Sequence, residues 1–208
     1  MAETPERSTL VGKQVGNYKA TAMIGRGSMG EVYKAKHPIL DREVAIKVLS
    51  EDLSAYPELV SRFRREARAI AHIKHPAIVQ AFDFGALEDG RCYYVMEFLT
   101  GAPLSAHIHG RGPLTAEETA DIALPLMEGL GAAHEAGFIH RDIKPDNIYI
   151  IKTEEGKFFP KIIDFGIAKL KNPDEGGDSV VTRIDAVMGT PLYMSPEQAP
   201  GASEPVGP

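Results

Sequence analysis

The chain has 208 residues, a formal charge of −6, 43% hydrophobic residues and 25% charged ones. That balance supports a packed core in one large or two small domains, and it offers no overall basic field to nucleic acid or an acidic membrane. Cys92 is the single cysteine, so no internal disulfide can form and a reducing compartment, the cytoplasm, is expected. No apolar run approaches the ~18 residues of a membrane span, and the N-terminus lacks a signal-peptide pattern.

Residues 1–16 are polar and aperiodic and read as a mobile leader. Residues 18–24 and 31–36 alternate like strands on either side of a glycine turn, and 43–49 make a third strand around Val44, Ile46 and Val48. Residues 57–73 have helical spacing, with Phe63, Glu66, Ala67 and Ile70 on one face. Arg62, Arg64, Arg65 and Arg68 read as a solvated face of that helix rather than a phosphate-docking patch. Two more strands fit residues 78–84 and 91–98, either side of a Glu88-Asp89-Gly90 turn.

Helices follow. A short one suits residues 103–108. Thr115-Ala116-Glu117-Glu118 has the form of a capping box and opens a helix running to about Ala136. Pro125, Gly129 and Gly131 lie inside it, and an interior proline costs roughly 3 kcal/mol, so a kink is expected there. Residues 148–151 and 159–163 look like a hairpin joined by the polar stretch 152–157. Residues 199–208 are rich in Pro, Gly and Ser and read as a flexible tail. No internal repeat is evident.

Gly25-Arg26-Gly27-Ser28-Met29-Gly30-Glu31-Val32 fits G-x-G-x-x-G-x-V. A dinucleotide-binding turn needs a helix directly after its glycines. Here residues 31–36 alternate like a strand, so the glycines sit at a hairpin tip, where bare backbone N–H groups can lie over phosphates. Val44-Ala45-Ile46-Lys47 follows on the third strand. Further on, His140-Arg141-Asp142-Ile143-Lys144-Pro145-Asp146-Asn147 precedes Asp164-Phe165-Gly166. These two motifs supply a base for a hydroxyl, a lysine for a phosphate and two oxygen ligands for a divalent metal, the equipment of phosphoryl transfer.

With these motifs in this order, the sequence from about Tyr18 to Gln198 resembles the protein kinase superfamily, specifically the eukaryotic-like serine/threonine kinases of bacteria. The resemblance implies an α+β, bilobal fold. Residues 17–98 would form a five-stranded antiparallel N-lobe with one helix, and residues 99–198 an incomplete, mainly helical C-lobe with the catalytic and activation loops. It implies ATP and magnesium as cofactors, and transfer of the γ-phosphate to Ser or Thr hydroxyls of protein substrates. Autophosphorylation in trans between two copies would be included.

Carried over residue by residue, the resemblance makes Asp142 the base and Lys144 the neutraliser of the γ-phosphate. Asn147 and Asp164 become the magnesium ligands. Ile24, Gly25, Arg26, Gly27, Ser28, Met29, Gly30 and Val32 would cover the nucleotide. Val32 and Ala45 would sandwich the adenine, and Lys47 would contact the α- and β-phosphates with Glu66 as its partner. The backbones of Glu97 and Leu99 would bond the adenine edge, with Met96 behind. Tyr149 stands beneath the adenine where relatives carry a smaller aliphatic residue; it either tightens the pocket or turns aside.

His140 and Phe165 read as packing residues, His140 being a neutral core histidine. His72-Ile73-Lys74-His75 lacks acidic or cysteine companions and suggests no zinc site. Arg141 would dock a phosphate on the activation loop, with Thr182 the activating site and Ser179 second. Thr190 would touch Asp142 and Lys144.

Ser195-Pro196-Glu197 stands where the family has Ala-Pro-Glu, and the family continues through several further helices. The chain is therefore expected to be an incomplete kinase domain with a sound N-lobe and a marginal C-lobe. Ile122, Leu126 and Leu130 would be left wet at roughly 1.5–3 kcal/mol each. The alternative is a feeble or inactive fragment acting as an ATP-binding or interaction module.

Overall fold

The computed structural model describes residues 9–153, 156–165, 191–198 and 207. The chain divides into two compact units, Met1–Ala55 with Asp83–Phe98, and Tyr56–Phe82 with Leu99–Pro208.

The first unit is built on a sheet of β1 (Gln14–Val15), β2 (Tyr18–Gly27), β3 (Gly30–Lys36), β4 (Glu43–Leu49), β6 (Cys92–Glu97) and β5 (Ala81–Ala86), in that spatial order. Neighbours from β1 through β6 pair antiparallel. Six strands stand where five were expected. The extra one, β1, falls inside the stretch read as a mobile leader, where Leu10 and Val15 are buried in the core. Two residues are too few to show alternation, and their burial comes from partners further along the chain. A helical turn, α1 (Glu51–Ser54), follows β4.

Side chains alternate across a strand. Tyr33 and Ala35 of β3, Val44, Ile46 and Val48 of β4, and Tyr93 and Val95 of β6 therefore point to one face and form the core with Leu10, Val15 and Ala20. Tyr33 also fixes the β2–β3 hairpin. Its hydroxyl donates to Glu31 Oε2, and Arg26 Nη2 bonds Glu31 Oε1 at 2.7 Å. Burial pushes the Glu31 carboxyl up. The hydrogen bonds from Tyr33 and Arg26 outweigh it and hold the carboxyl below its ordinary value.

In the second unit, α2 (Pro57–His72) opens with a proline whose fixed φ suits the first turn. It buries Leu59, Phe63, Ala67 and Ile70 together with Arg62 and Glu66. Arg62 thus departs from the solvated face expected of it, since it lies one turn before Glu66 on the buried side; Arg64, Arg65 and Arg68 are exposed. The helix lies in Tyr56–Phe82, the stretch grouped with the second unit. The chain after it explains why. Gln80 Nε2 donates to the Ile70 carbonyl at 3.2 Å, and the Val79 N–H donates to the Ile162 carbonyl at 2.9 Å.

Helices α3 (Leu104–Arg111) and α4 (Ala116–Glu135) and a sheet ordered β7 (Gly101–Pro103), β8 (Ile148–Lys152) and β9 (Phe158–Ile162) complete the second unit. The expected hairpin is β8–β9, and β7 adds a strand the sequence did not announce. The α4 capping box is present in both directions. Glu118 N donates to Thr115 Oγ1 at 3.2 Å, and Thr115 N donates to Glu118 Oε2 at 2.9 Å. The helix continues through Pro125. Gly129 has a packing reason, because a Cβ there would stand 3.2 Å from His75 Nδ1 and 3.3 Å from the Ala77 methyl.

Ile122 is not wet. It packs with Leu104, Ile148 and Ile150, and Leu126 lies against the same cluster. The α4 side chains that face solvent are instead Leu124 and Met127, 60% and 65% exposed.

Three outcomes test this packing by urea denaturation. Thr115→Ala should lower stability by ~1 kcal/mol through loss of the cap. Ile122→Ala should cost about 2–5 kcal/mol, whereas Leu124→Ala should stay within ~0.5 kcal/mol; equal losses would mean the buried face has been misassigned.

For Glu31, a depressed carboxyl stabilises the fold above its unfolded pKa and loses that contribution as pH falls through the folded value. The wild type should therefore lose stability relative to Glu31→Gln as pH drops below about 4.5. Parallel stability curves for the two proteins would rule the linkage out.

Candidate functional site

At the tip of the β2–β3 hairpin, Gly25 is opposite Val32, Arg26 opposite Glu31 and Gly27 opposite Gly30, leaving Ser28 and Met29 as the turn. Gly30 has φ of 153°, and a Cβ there would lie 1.9 Å from the Val48 carbonyl oxygen. Only glycine lets the turn lie this close to the end of β4. The Ser50 N–H donates to the Met29 carbonyl at 3.0 Å and ties the same point. At Gly27 an added Cβ would meet no atom within 4 Å. The turn is thus pinned to β4 at Gly30 and bare at Gly27. Ile24 is exposed beside it.

Strand register sorts the remaining candidates of the first unit. Val32, Lys47 and Tyr94 are directly opposed across three strands, and Lys34, Ala45 and Met96 form the next such row. Both rows lie on the face away from the core, because Tyr33, Ile46 and Val95 occupy the other. Val32, Ala45, Lys47 and Met96 therefore share that face in adjacent rows. Lys47 is only 8% exposed, and its Nζ lies 5.7 Å from the centre of the Tyr94 ring. Glu97 ends β6 opposite Val44. Leu99 is half-buried just beyond, at the start of the second unit's C-terminal segment.

In the second unit, Glu66 is 1% exposed on α2. The loop before β8 gathers the chemical candidates. Asn147 Nδ2 donates to both the backbone carbonyl and Oδ2 of Asp142, each at 2.9 Å, and Lys144 Nζ stands 3.4 Å from the same Oδ2. A short 3₁₀ turn (Pro145–Asn147) sets this spacing, with Asn147 N donating to the Lys144 carbonyl at 2.9 Å. The Ile163 N–H donates to the Asn147 carbonyl at 3.0 Å, which brings Asp164 alongside.

The Asp142 N–H donates to His140 Nδ1 at 3.2 Å. That nitrogen must therefore carry a lone pair, which makes the imidazole neutral. His140 and Phe165 are both 1% exposed with ring centres 4.7 Å apart, so they pack as expected. Burial pulls the Arg141 guanidinium below its ordinary value.

The open question about Tyr149 is answered in part. Its hydroxyl donates to the Gly101 carbonyl at 3.0 Å, tying the ring to β7. Sequence reasoning missed Gln198, whose Nε2 donates to the Arg141 carbonyl at 2.9 Å across 57 residues; no local pattern marks such a contact. Gly166, Ser179, Thr182 and Thr190 lie outside the described residues.

Among the described residues, no group of three or more His, Cys, Asp or Glu side chains converges on a self-sufficient metal site. Asn147 and Asp164 nevertheless suit magnesium, which takes one or two protein oxygens and completes its shell with water and phosphate. The Asn147 amide nitrogen is committed to Asp142, so its carbonyl oxygen is the donor left for a cation. No described helix is long and apolar enough to cross a membrane.

The protein kinase domain family matches residues 18–206. The serine/threonine-protein kinase pkn3 of Myxococcus xanthus is 40% identical over 96% of this chain and 36% of its own length. The serine/threonine-protein kinase PrkC of Bacillus subtilis is 40% identical over 92% of the chain and 28% of its own length. The chain thus spans about a third of these curated relatives. Among solved structures, the kinase domain of Mycobacterium tuberculosis PknI is similar with a TM-score of 0.65 and 30% identity, over 77% of this chain and 62% of that one. With the glycine hairpin, the Lys47 face and the Asp142 loop in place, the chain belongs to the protein kinase domain family.

Proposed function

We propose that this chain acts as a protein serine/threonine kinase domain, moving the γ-phosphate of ATP to Ser or Thr hydroxyls of protein substrates, a second copy of itself included. The observation that carries the reading is the Asp142 carboxylate, held by Asn147 at 2.9 Å and Lys144 at 3.4 Å. Phosphoryl transfer asks a protein for positioning and charge neutralisation more than for covalent chemistry. A carboxylate whose direction is fixed by a neighbouring amide can orient a hydroxyl and accept its proton. Lys144, two residues on, neutralises the phosphoryl group as it moves.

Asn147 and Asp164 would hold magnesium, which when bound offsets charge on the phosphates. From the first unit, the bare turn at Gly27 and the row containing Lys47 serve the phosphates. Val32, Ala45 and the backbones of Glu97 and Leu99 serve the adenine. Glu66 is the buried carboxylate assigned to the nucleotide side of the site. Half-buried Arg141 is suited to a phosphate on the segment after Asp164. The acidic net charge and the single cysteine support protein substrates in the cytoplasm.

Transfer of labelled γ-phosphate to a generic basic protein tests the assignment. Asp142→Asn should reduce it by about 10²–10⁴-fold, while ATP with magnesium still raises the melting temperature of the variant. Undiminished transfer by Asp142→Asn would sink the role given to this carboxylate. Nucleotide-dependent stabilisation of the wild type without any transfer would identify an ATP-binding module instead.

A further inference from the structure

We infer that Gln198 is a positioning residue for the transfer step, acting on Asp142 through the peptide bond that precedes it; this rests on the kinase reading above. The Gln198 amide is used at both ends. Its Oε1 accepts the Ser195 N–H at 3.2 Å, and its Nε2 donates to the Arg141 carbonyl at 2.9 Å. These partners fix which way the amide faces. The reverse orientation would set its NH₂ against an N–H and its oxygen against a carbonyl oxygen.

The Arg141 carbonyl and the Asp142 N–H belong to the same rigid peptide unit. The N–H end is held by His140 Nδ1 at 3.2 Å, and the carbonyl end by Gln198. This peptide needs both holds because Arg141 has φ of 63°. A non-glycine residue stays in that left-handed region only where its surroundings impose it. Relaxation of φ at Arg141 would carry the following peptide with it, breaking both holds and turning Asp142 away from Asn147 and Lys144. Gln198, on the 3₁₀ turn Pro196–Gln198, opposes that relaxation from a distant part of the chain. It touches no reacting atom, so its effect falls on geometry.

The full chain carrying Gln198→Glu isolates the interaction. Glutamate keeps the length and the acceptor for Ser195 but sets an oxygen against the Arg141 carbonyl. We expect kcat for phosphate transfer to fall about tenfold or more, with KM for ATP and the melting temperature close to wild type. As pH falls into the carboxyl range, the variant-to-wild-type ratio should recover, because a protonated carboxyl regains a donor. Gln198→Leu should show the same loss of kcat without that recovery, and it serves as the second variant if Gln198→Glu folds poorly.

An unchanged kcat in both variants would overturn the proposal, as would a loss confined to KM. Amide hydrogen exchange separates this inference from the kinase reading. The Asp142 N–H should exchange faster in Gln198→Glu than in wild type, even if the wild type transfers no phosphate. Equal exchange would overturn the clamp whatever the activity.

Discussion

The arrangement depends first on a side-chain amide bonding a backbone. Residues 140–144 form neither helix nor strand, so their buried polar groups need other partners. Asn147 supplies two of the bonds, one to the Asp142 backbone carbonyl and one to its carboxylate. The same residue thereby shapes the loop and aims the group at its centre. Asn147 is itself fixed because the next residue, Ile148, enters β8 and joins Leu104, Ile122 and Ile150 in the core. A buried aliphatic cluster therefore sets the position of a polar carboxylate a few residues away. A longer or more mobile linker between Asp142 and β8 would lose that transmission.

The first unit solves its positioning problem by parity. With a side-chain period of two and an unbroken register between β3, β4 and β6, burying Tyr33, Ile46 and Val95 on one face commits Val32, Lys47 and Tyr94 to the other. A slip of one residue would send Lys47 into the core and Ile46 out of it, and the apolar penalty forbids this. The lysine's placement thus follows from the hydrophobicity of its neighbours. Gly30 closes the same construction at the turn, where any side chain would collide with the Val48 carbonyl.

What the sequence made legible was local. The capping box at Thr115 and the glycine hairpin place interacting groups within a few residues, and both were found where expected. What it hid was created by distant partners. Val15 is buried by strands that follow it, and β7 exists because Gly101–Pro103 meets β8 almost fifty residues later. Arg62 carries the composition of a surface residue and sits on the buried side of its helix. On α4, apolar residues occur on both sides, so periodicity could not say which side α3 and β8 would cover. They cover Ile122 and leave Leu124 and Met127 to solvent.

The packing residues beside the chemistry are explained by the same economy. His140 presents Nδ1 to the Asp142 N–H and its ring to Phe165, so one buried imidazole supports both the Asp142 loop and the segment carrying Asp164. Both uses require the neutral form, since an imidazolium has no lone pair to accept the N–H and would be costly to bury. Phe165 anchors its end of the arrangement by burial, while the Ile163 N–H bonds Asn147 on the other side of Asp164. Asp164 is thus held between an apolar anchor and a backbone hydrogen bond. The backbones that carry Asn147 and Asp164 are therefore tied together on one side by a hydrogen bond and flanked on the other by a buried imidazole and phenyl ring.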